Sequence, residues 1–197
     1  MNDTDYTTFY IVRHGETEWN TKHFVQGHMD SPLTPRGLEQ GTILGQKLKH
    51  IQFDHVYSSD LLRAKKTAEL ISAEKNLAIK TTEALREQSY GQYEGKPRAE
   101  LLNAFKDWEA LTENEKFTQK VADIESDEAT ATRLITFLRE IAVTYPKKTM
   151  LIVSHGKIMK TFLIHLGFTT YKENLFIENS GFIKLRSDGV DFFIDEV

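Results

Sequence analysis

The chain has 197 residues, of which 40% are hydrophobic and 27% are charged, and this composition is typical of one globular domain. Its formal net charge of -4 provides no overall basic field for nucleic acid, and the absence of cysteine excludes disulfides, a thiol nucleophile and a cysteine-based metal site. No apolar run approaches the length that spans a membrane, and the acidic residues 1–5 do not resemble the basic start of a signal peptide, so we expect a cytoplasmic protein.

The first half of the chain predicts strands that alternate with helices. A β-branched and aromatic run from Thr7 to Val12 predicts a buried strand, and Gly15 marks the turn that follows it. The next predicted elements are a helix from Thr34-Pro35 to about His50, a strand at 54–58, a helix that is capped by Asp60 and ends near Glu74, and a strand at 77–80.

The second half continues this alternation and ends in a hairpin. Its predicted elements are a helix over 98–111, a polar loop over 112–126, a long amphipathic helix from Asp127 to Val143, a strand at 150–153, a helix over 157–166, and a hairpin of 182–185 with 190–194. Alternating strands and helices predict a three-layer α/β sandwich with a mostly parallel sheet, and the hairpin predicts an antiparallel edge strand. No linker divides the sequence, so residues 1–197 are expected to form a single domain.

Two His-Gly pairs directly follow predicted strands. His14-Gly15 follows the first strand, and His155-Gly156 follows the strand at 150–153. Open α/β sheets bind ligands at the carboxyl ends of their strands, so both imidazoles are expected to face one pocket. A histidine at this place can attack phosphorus, and the guanidinium of Arg13 can hold phosphate oxygens.

The same residues belong to a series of motifs. The series comprises Arg13-His14-Gly15-Glu16-Thr17, Gln26 to Thr34, Val56 to Ala64 with Thr67-Ala68, Leu85 to Glu87 with Tyr90 to Gly95, and Ser154-His155-Gly156. In this order the motifs resemble the histidine phosphatase superfamily, the phosphoglycerate mutase-like proteins. The resemblance implies the fold of that family and a substrate-covering lid, here at roughly 88–126, which we call the lid segment.

The resemblance also implies roles for individual residues. It makes His14 the nucleophile that forms a phosphohistidine and Glu87 the proton donor. Arg13 and Arg63 would clamp the phosphoryl oxygens, and His155 would complete the pocket. No metal and no cofactor are implied. Further substrate contacts are expected from Asn20, Gln26, Gly27, Tyr90, Arg98 and Gly156.

The proton donor has alternatives. Glu16 follows the first His-Gly pair, and Glu94 lies in the same motif region as Glu87. The family suggests that Glu16 supports the surroundings of the nucleophile instead. Both residues stay open as candidates.

The lid segment bears on whether the protein is a hydrolase or a mutase. Between residues 98 and 125 seven acidic residues outnumber four basic ones. Gln88 stands where the family's mutases carry an arginine, although Arg98 falls where they place a substrate-binding lysine. We expect a phosphomonoester hydrolase for several small metabolites without a second strongly anionic group. A phosphoglycerate mutase and a non-catalytic phosphate-binding regulator are the alternatives, and a homodimer is left open.

Overall fold

The computed structural model describes residues 6–173 and 175–197, so the acidic start of the chain lies outside the described residues. Apart from the lid segment, the predicted boundaries agree with the structure within two or three residues. The strands are β1 (Thr7–Arg13), β2 (His55–Ser59), β3 (Ile79–Thr82), β4 (Thr149–Ser154), β5 (Phe182–Ser187) and β6 (Phe192–Glu196). The α-helices are α1 (Glu18–Thr21), α2 (Pro35–Lys47), α3 (Leu62–Ile71), α4 (Arg98–Ala104), α5 (Glu113–Thr118), α6 (Asp127–Thr144) and α7 (Gly156–His165).

The strands form one sheet in the order β3-β2-β4-β1-β5-β6. β1 pairs in parallel with β4 and antiparallel with β5. In the first of these pairings Arg13 lies opposite Ser154, so both strands end at the same edge of the sheet. His14 and His155 therefore leave the sheet side by side. β5 and β6 form the antiparallel side, which confirms the predicted sheet.

Helices cover both faces of the sheet, because successive side chains of the central strands point to opposite faces. Tyr10 and Val12 belong to the core that includes α2 and α3, whereas Phe9 and Ile11 belong to the core that includes α6 and α7. Burial of each large apolar side chain contributes about 1.5–3 kcal/mol. The three-layer sandwich is confirmed. Within residues 6–173 and 175–197, no helix is both long and apolar enough to cross a membrane.

Helix α3 begins differently from the prediction. Asp60 does not cap it, because its carboxylate forms an ion pair with Arg86, whose Nε lies 2.9 Å from Oδ1. The cap comes instead from Asp30, whose Oδ2 accepts a hydrogen bond from the N–H of Leu62 at 2.8 Å. A side chain from another loop can replace a local cap, and the local sequence does not reveal it.

The lid segment contains more helix than the prediction. Helix α4 ends at Ala104 and not near residue 111, while α5 lies inside the stretch predicted as a loop. The start of α5 is a capping box in which Thr112 and Glu115 bond to each other's backbone N–H groups. The sequence Thr-x-x-Glu is the signature of such a cap, so this helix could have been predicted.

Candidate active site

A pocket of about 590 Å³ opens at the edge where β1 and β4 end. His155 is fully buried next to His14 and does not line it, whereas the other ten predicted site residues do. A shallow depression of similar volume beside Thr8 and Thr149, at the opposite edge of the sheet, contains none of them. The ten are Arg13, His14, Asn20, Gln26, Gly27, Arg63, Glu87, Tyr90, Arg98 and Gly156.

The imidazole of His14 is held by the backbone. Its Nδ1 lies 2.7 Å from the carbonyl oxygen of Gly15. Because a carbonyl oxygen only accepts, Nδ1 carries the proton and Nε2 presents a lone pair. Burial, followed by the charges of Arg63 and Arg13, lowers the pKa of His14 well below its ordinary value. The ring is therefore neutral at neutral pH. Asn179, which the sequence analysis missed, donates its amide to the carbonyl of His14 at 3.0 Å.

His155 lies behind His14, with 5.1 Å between the ring centroids. Burial and the neighbouring charges, first that of Arg63, lower the pKa of His155 well below its ordinary value. Neither ring nitrogen has a hydrogen-bond partner in the described part of the chain. Buried polar atoms are nearly always paired in folded proteins, so these nitrogens point to a ligand.

Arg63 is almost completely buried at the start of α3. Its Nη2 donates to the carbonyl of Gly27 at 2.7 Å, and its Nη1 donates to the carbonyl of Met29 at 2.7 Å and to Asp30 at 3.0 Å. Its Nε has no partner among residues 6–173 and 175–197. Two of the three acceptors are neutral carbonyls, so the guanidinium keeps positive charge that an anion can use.

Asp30 supports both Arg63 and the helix that carries it. We expect Asp30→Ala to lower the free energy of unfolding by about 3 kcal/mol, because it leaves a buried charge without its carboxylate and removes a helix cap. Chemical denaturation measures this loss. Asp30→Asn keeps an acceptor for the N–H of Leu62 and should lose less. Equal stability of Asp30→Ala and the wild type would contradict the assignment.

Arg13 approaches the pocket from the end of β1. Its Nη1 donates to the carbonyl of Ile177 at 2.6 Å, and its guanidinium carbon lies 5.1 Å from the ring centroid of Phe176. Its Nε has no partner within the described residues. A Cβ added to Gly156 would stand 3.0 Å from this Nε. Glycine at position 156 therefore avoids a close contact with this buried nitrogen.

The carboxylate of Glu87 is bound to the backbone at the start of α7. Its Oε1 accepts hydrogen bonds from the N–H groups of Gln88 at 2.9 Å and Ile158 at 3.0 Å. Its Oε2 accepts from the N–H of Lys157 at 3.1 Å. These bonds fix the orientation of a carboxyl group that lines the pocket.

The two alternative acids have other contacts, and the carboxylate of Glu94 packs behind Gly27. Glu16 accepts a hydrogen bond from the hydroxyl of Thr34 at 2.8 Å and lies 3.6 Å from Arg36. Glu94 accepts from the N–H of Tyr90 at 2.9 Å. Neither acid lines the pocket, so Glu87 has the better position for contact with a ligand.

A polar cluster beside Glu87 was missed by the sequence analysis. The buried carboxylate of Asp127 accepts from the amide of Gln88 at 2.7 Å, from Nζ of Lys157 at 2.6 Å and from the hydroxyl of Tyr171 at 2.6 Å. Burial and then the charge of Asp127 raise the pKa of Tyr171. The members come from separate segments, and an acidic residue in the first turn of a helix ordinarily indicates capping.

The part of the pocket wall that is farther from His14, which we call the outer wall, carries other charges than the acidic composition of the lid segment suggests. The wall carries apolar residues from α4 and the turn after it, lysines from α7, and the carboxylate of Asp127 from the start of α6. The expectation that acidic side chains of the lid segment repel a second anion stays a prediction, because the side chain of Glu109 lies outside the described residues. The wall includes Arg98, Leu101, Phe105, Trp108, Lys157 and Lys160. The acidic residues that do not line it are Glu100, Asp107, Glu113, Glu115, Asp123 and Glu125.

The chain has relatives among known proteins. The family model of the histidine phosphatase superfamily (branch 1) matches residues 9–195, and the chain belongs to that family. The uncharacterized phosphatase PhoE of Bacillus subtilis is 32% identical over 161 residues, which cover 82% of this chain and 78% of that protein.

Solved structures give the same fold. A phosphoserine phosphatase of Entamoeba histolytica, in complex with 3-phosphoglyceric acid, is 27% identical with a TM-score of 0.82 and covers 96% of this chain and 95% of its own. A phosphoglycerate mutase of Bacillus anthracis str. Sterne is 29% identical with a TM-score of 0.84, over 99% of this chain and 94% of its own. The protein is thus a histidine phosphatase that acts on a small phosphorylated metabolite. The name of the Bacillus anthracis relative gives phosphoglycerate mutase as the alternative activity.

Proposed function

We propose that the protein hydrolyses several small phosphomonoesters through a phosphohistidine formed on His14. The observation that carries this proposal is the lone pair on Nε2 of His14. His14 lies in one pocket with Arg13 and Arg63, each of which has an unpartnered nitrogen, and it lies close to the unpartnered ring nitrogens of His155. Such donors match the equatorial oxygens of a transferring phosphoryl group, whose charge they would stabilise.

The reaction would proceed in two steps. In the first, Nε2 of His14 attacks phosphorus, the bond from phosphorus to the ester oxygen breaks, and the protonated carboxyl of Glu87 passes its proton to that oxygen. In the second, water attacks phosphorus, the phosphorus–nitrogen bond breaks, and the carboxylate of Glu87 takes a proton from the water. Phosphate leaves, and both side chains return to their starting states.

The remaining predicted residues would hold the substrate. Asn20, Gln26 and the backbone at Gly27 and Gly156, all of which line the pocket, would surround the phosphate end. Tyr90 and Arg98 belong to the lid segment, which we propose covers the pocket as part of a single domain. A cytoplasmic location stays a prediction from the sequence, and a homodimer stays open.

Catalysis is proposed to need neither metal nor cofactor. Arg13 and Arg63 supply two fixed positive charges at the phosphate, the role that a divalent ion plays in other phosphoryl transfers. Prolonged treatment with EDTA should leave kcat within about twofold of its starting value. Loss of activity in EDTA, with recovery after addition of one divalent metal, would overturn this part of the mechanism.

The function is tested by measuring phosphate release from a panel of phosphorylated metabolites. A mutase would instead isomerise phosphoglycerate in the presence of a bisphosphoglycerate primer. Gln88 favours hydrolysis, because its amide is occupied by Asp127 and by the carbonyl of Glu125 where the family's mutases carry an arginine. Primer-dependent isomerisation faster than phosphate release would establish the mutase, and binding without turnover would establish the regulator.

A further inference from the structure

The peptide group that joins His14 to Gly15 is bound at both of its polar atoms by side chains. Its carbonyl oxygen accepts a hydrogen bond from Nδ2 of Asn179 at 3.0 Å, and its N–H donates to Oγ1 of Thr67 at 3.0 Å. Thr67 lies on α3 and Asn179 lies just before β5, so two separate segments meet at this peptide. A planar peptide group that is held in this way cannot rotate without breaking one of the two bonds.

Position 15 needs this support because it must be glycine. A Cβ there would stand 2.5 Å from the carbonyl oxygen of Gly37. Glycine avoids this clash, but it also has the least restricted backbone of all residues. The hydrogen bonds from Thr67 and Asn179 therefore supply a stiffness that no side chain at position 15 can supply.

The orientation of Gly15 matters for the imidazole of His14. The lowered pKa of His14 keeps the ring neutral at neutral pH, and the carbonyl oxygen of Gly15 lies 2.7 Å from its Nδ1. In a neutral imidazole, the hydrogen bond made by one nitrogen decides which of the two carries the proton. Rotation of the backbone at Gly15 would move this acceptor away and let the proton reside on Nε2. That nitrogen would then have no lone pair for attack on phosphorus.

Thr67 also connects this peptide to Arg63. Its hydroxyl donates to the carbonyl of Arg63, one turn earlier on α3, at 2.8 Å. A hydroxyl that donates to this carbonyl keeps its lone pairs for the N–H of Gly15. Thr67 is fully buried, and neither it nor Asn179 lines the pocket. Both residues can therefore influence the reaction only through the groups that they hold.

We propose that Thr67 and Asn179 are positioning residues, which hold the peptide between His14 and Gly15 so that Nε2 of His14 keeps its lone pair directed at phosphorus. This inference rests on the proposed function, since it assumes that His14 attacks the substrate. The hydrogen bonds involve protein atoms alone, so the tautomer of His14 is set before the substrate binds.

The kinetic test uses Asn179→Ala and Thr67→Val, which keeps the shape of the side chain and removes the hydroxyl. Each should lower kcat/KM for nitrophenyl phosphate by about 10–100-fold, the loss expected when a reacting group is poorly oriented. The inhibition constant of inorganic phosphate should change less than about threefold, because both arginines remain. Thr67→Ser keeps the hydroxyl and should retain most of the activity. Thr161→Val, which removes a buried hydroxyl bonded to the carbonyl of Ile158 within α7, is the matched control.

A second measurement reads the tautomer of His14 directly. Long-range ¹H–¹⁵N correlation spectra of protein labelled with ¹⁵N in histidine distinguish protonated from unprotonated ring nitrogens, and the signals of His14 are those absent from His14→Ala. The wild type should carry this proton on Nδ1. Thr67→Val and Asn179→Ala should show a measurable fraction with the proton on Nε2, whereas Thr67→Ser and Thr161→Val should match the wild type.

The outcomes distinguish the positioning role from the proposed function. The positioning role is overturned if His14 has the same tautomer in the wild type and in every folded variant, or if phosphate affinity falls as much as kcat/KM. Wild-type kcat/KM in both Thr67→Val and Asn179→Ala overturns it as well. If the thermal midpoint shows that Thr67→Val does not fold, Asn179→Ala decides. The absence of phosphate release by the wild type from any ester overturns the proposed function, while the spectra still test how His14 is held.

Discussion

His14→Ala should lower kcat by a factor of about 10⁴ or more, because it removes the nitrogen that is proposed to bond to phosphorus. The wild-type enzyme, mixed rapidly with substrate labelled on phosphorus and quenched in alkali, should carry a protein-bound label. This label should be stable in alkali and lost in acid, as a phosphoramidate bond requires. The variant should carry none.

The matched control for this experiment is His50→Ala. His50 is exposed and lies beside the shallow depression at the opposite edge of the sheet, so its loss should change neither turnover nor labelling. Thermal unfolding shows whether either variant is misfolded. A folded His14→Ala protein that retains roughly a tenth of the wild-type turnover would contradict nucleophilic catalysis by this residue.

Glu87→Gln should slow hydrolysis of alkyl phosphates by about 10²–10⁴-fold, the usual contribution of a general acid. Nitrophenyl phosphate should lose less than about tenfold, because nitrophenolate leaves without a proton. The amide oxygen can still accept from the N–H groups of Gln88 and Ile158, but the amide nitrogen cannot accept from the N–H of Lys157. Thermal unfolding of the variant therefore accompanies the kinetic measurement.

Glu94→Gln provides the comparison, since Glu94 also accepts a backbone hydrogen bond but does not line the pocket. It should affect both substrate types equally and weakly. Equal losses on both substrates for Glu87→Gln would make Glu87 a structural residue. Glu16 would then be the next acid to test.

The inner half of the pocket could be predicted because its signals are local. An apolar strand followed by His-Gly places an imidazole at a sheet edge, and the parallel pairing of β1 with β4 brings His14 and His155 within 5.1 Å between ring centroids. Arg63, at the start of α3, was likewise assigned by resemblance, and it lies in the same pocket.

The outer half depends on packing that no short pattern encodes. A count of charges gave the lid segment a negative balance, but the count does not tell which side chains face inward. Among the side chains that the structure describes, the acidic residues between 98 and 125 do not line the pocket, whereas Arg98 does. The contacts of Asp30 with Arg63, and of Asp127 with Lys157, join residues about 30 positions apart. Only the folded chain brings such pairs together.

The inner position of β1 determines when activity can arise during synthesis. β1 is made before β4 and β5, its two neighbours in the sheet, and the hydrogen bond from Asn179 to His14 spans 165 positions. A nascent chain that carries the nucleophile therefore lacks β4 until translation has passed residue 154, and it lacks β5 until translation has passed residue 187. Ribosome-bound intermediates should thus be inert towards cellular phosphoesters, and turnover would report that the polypeptide has been completed through β5.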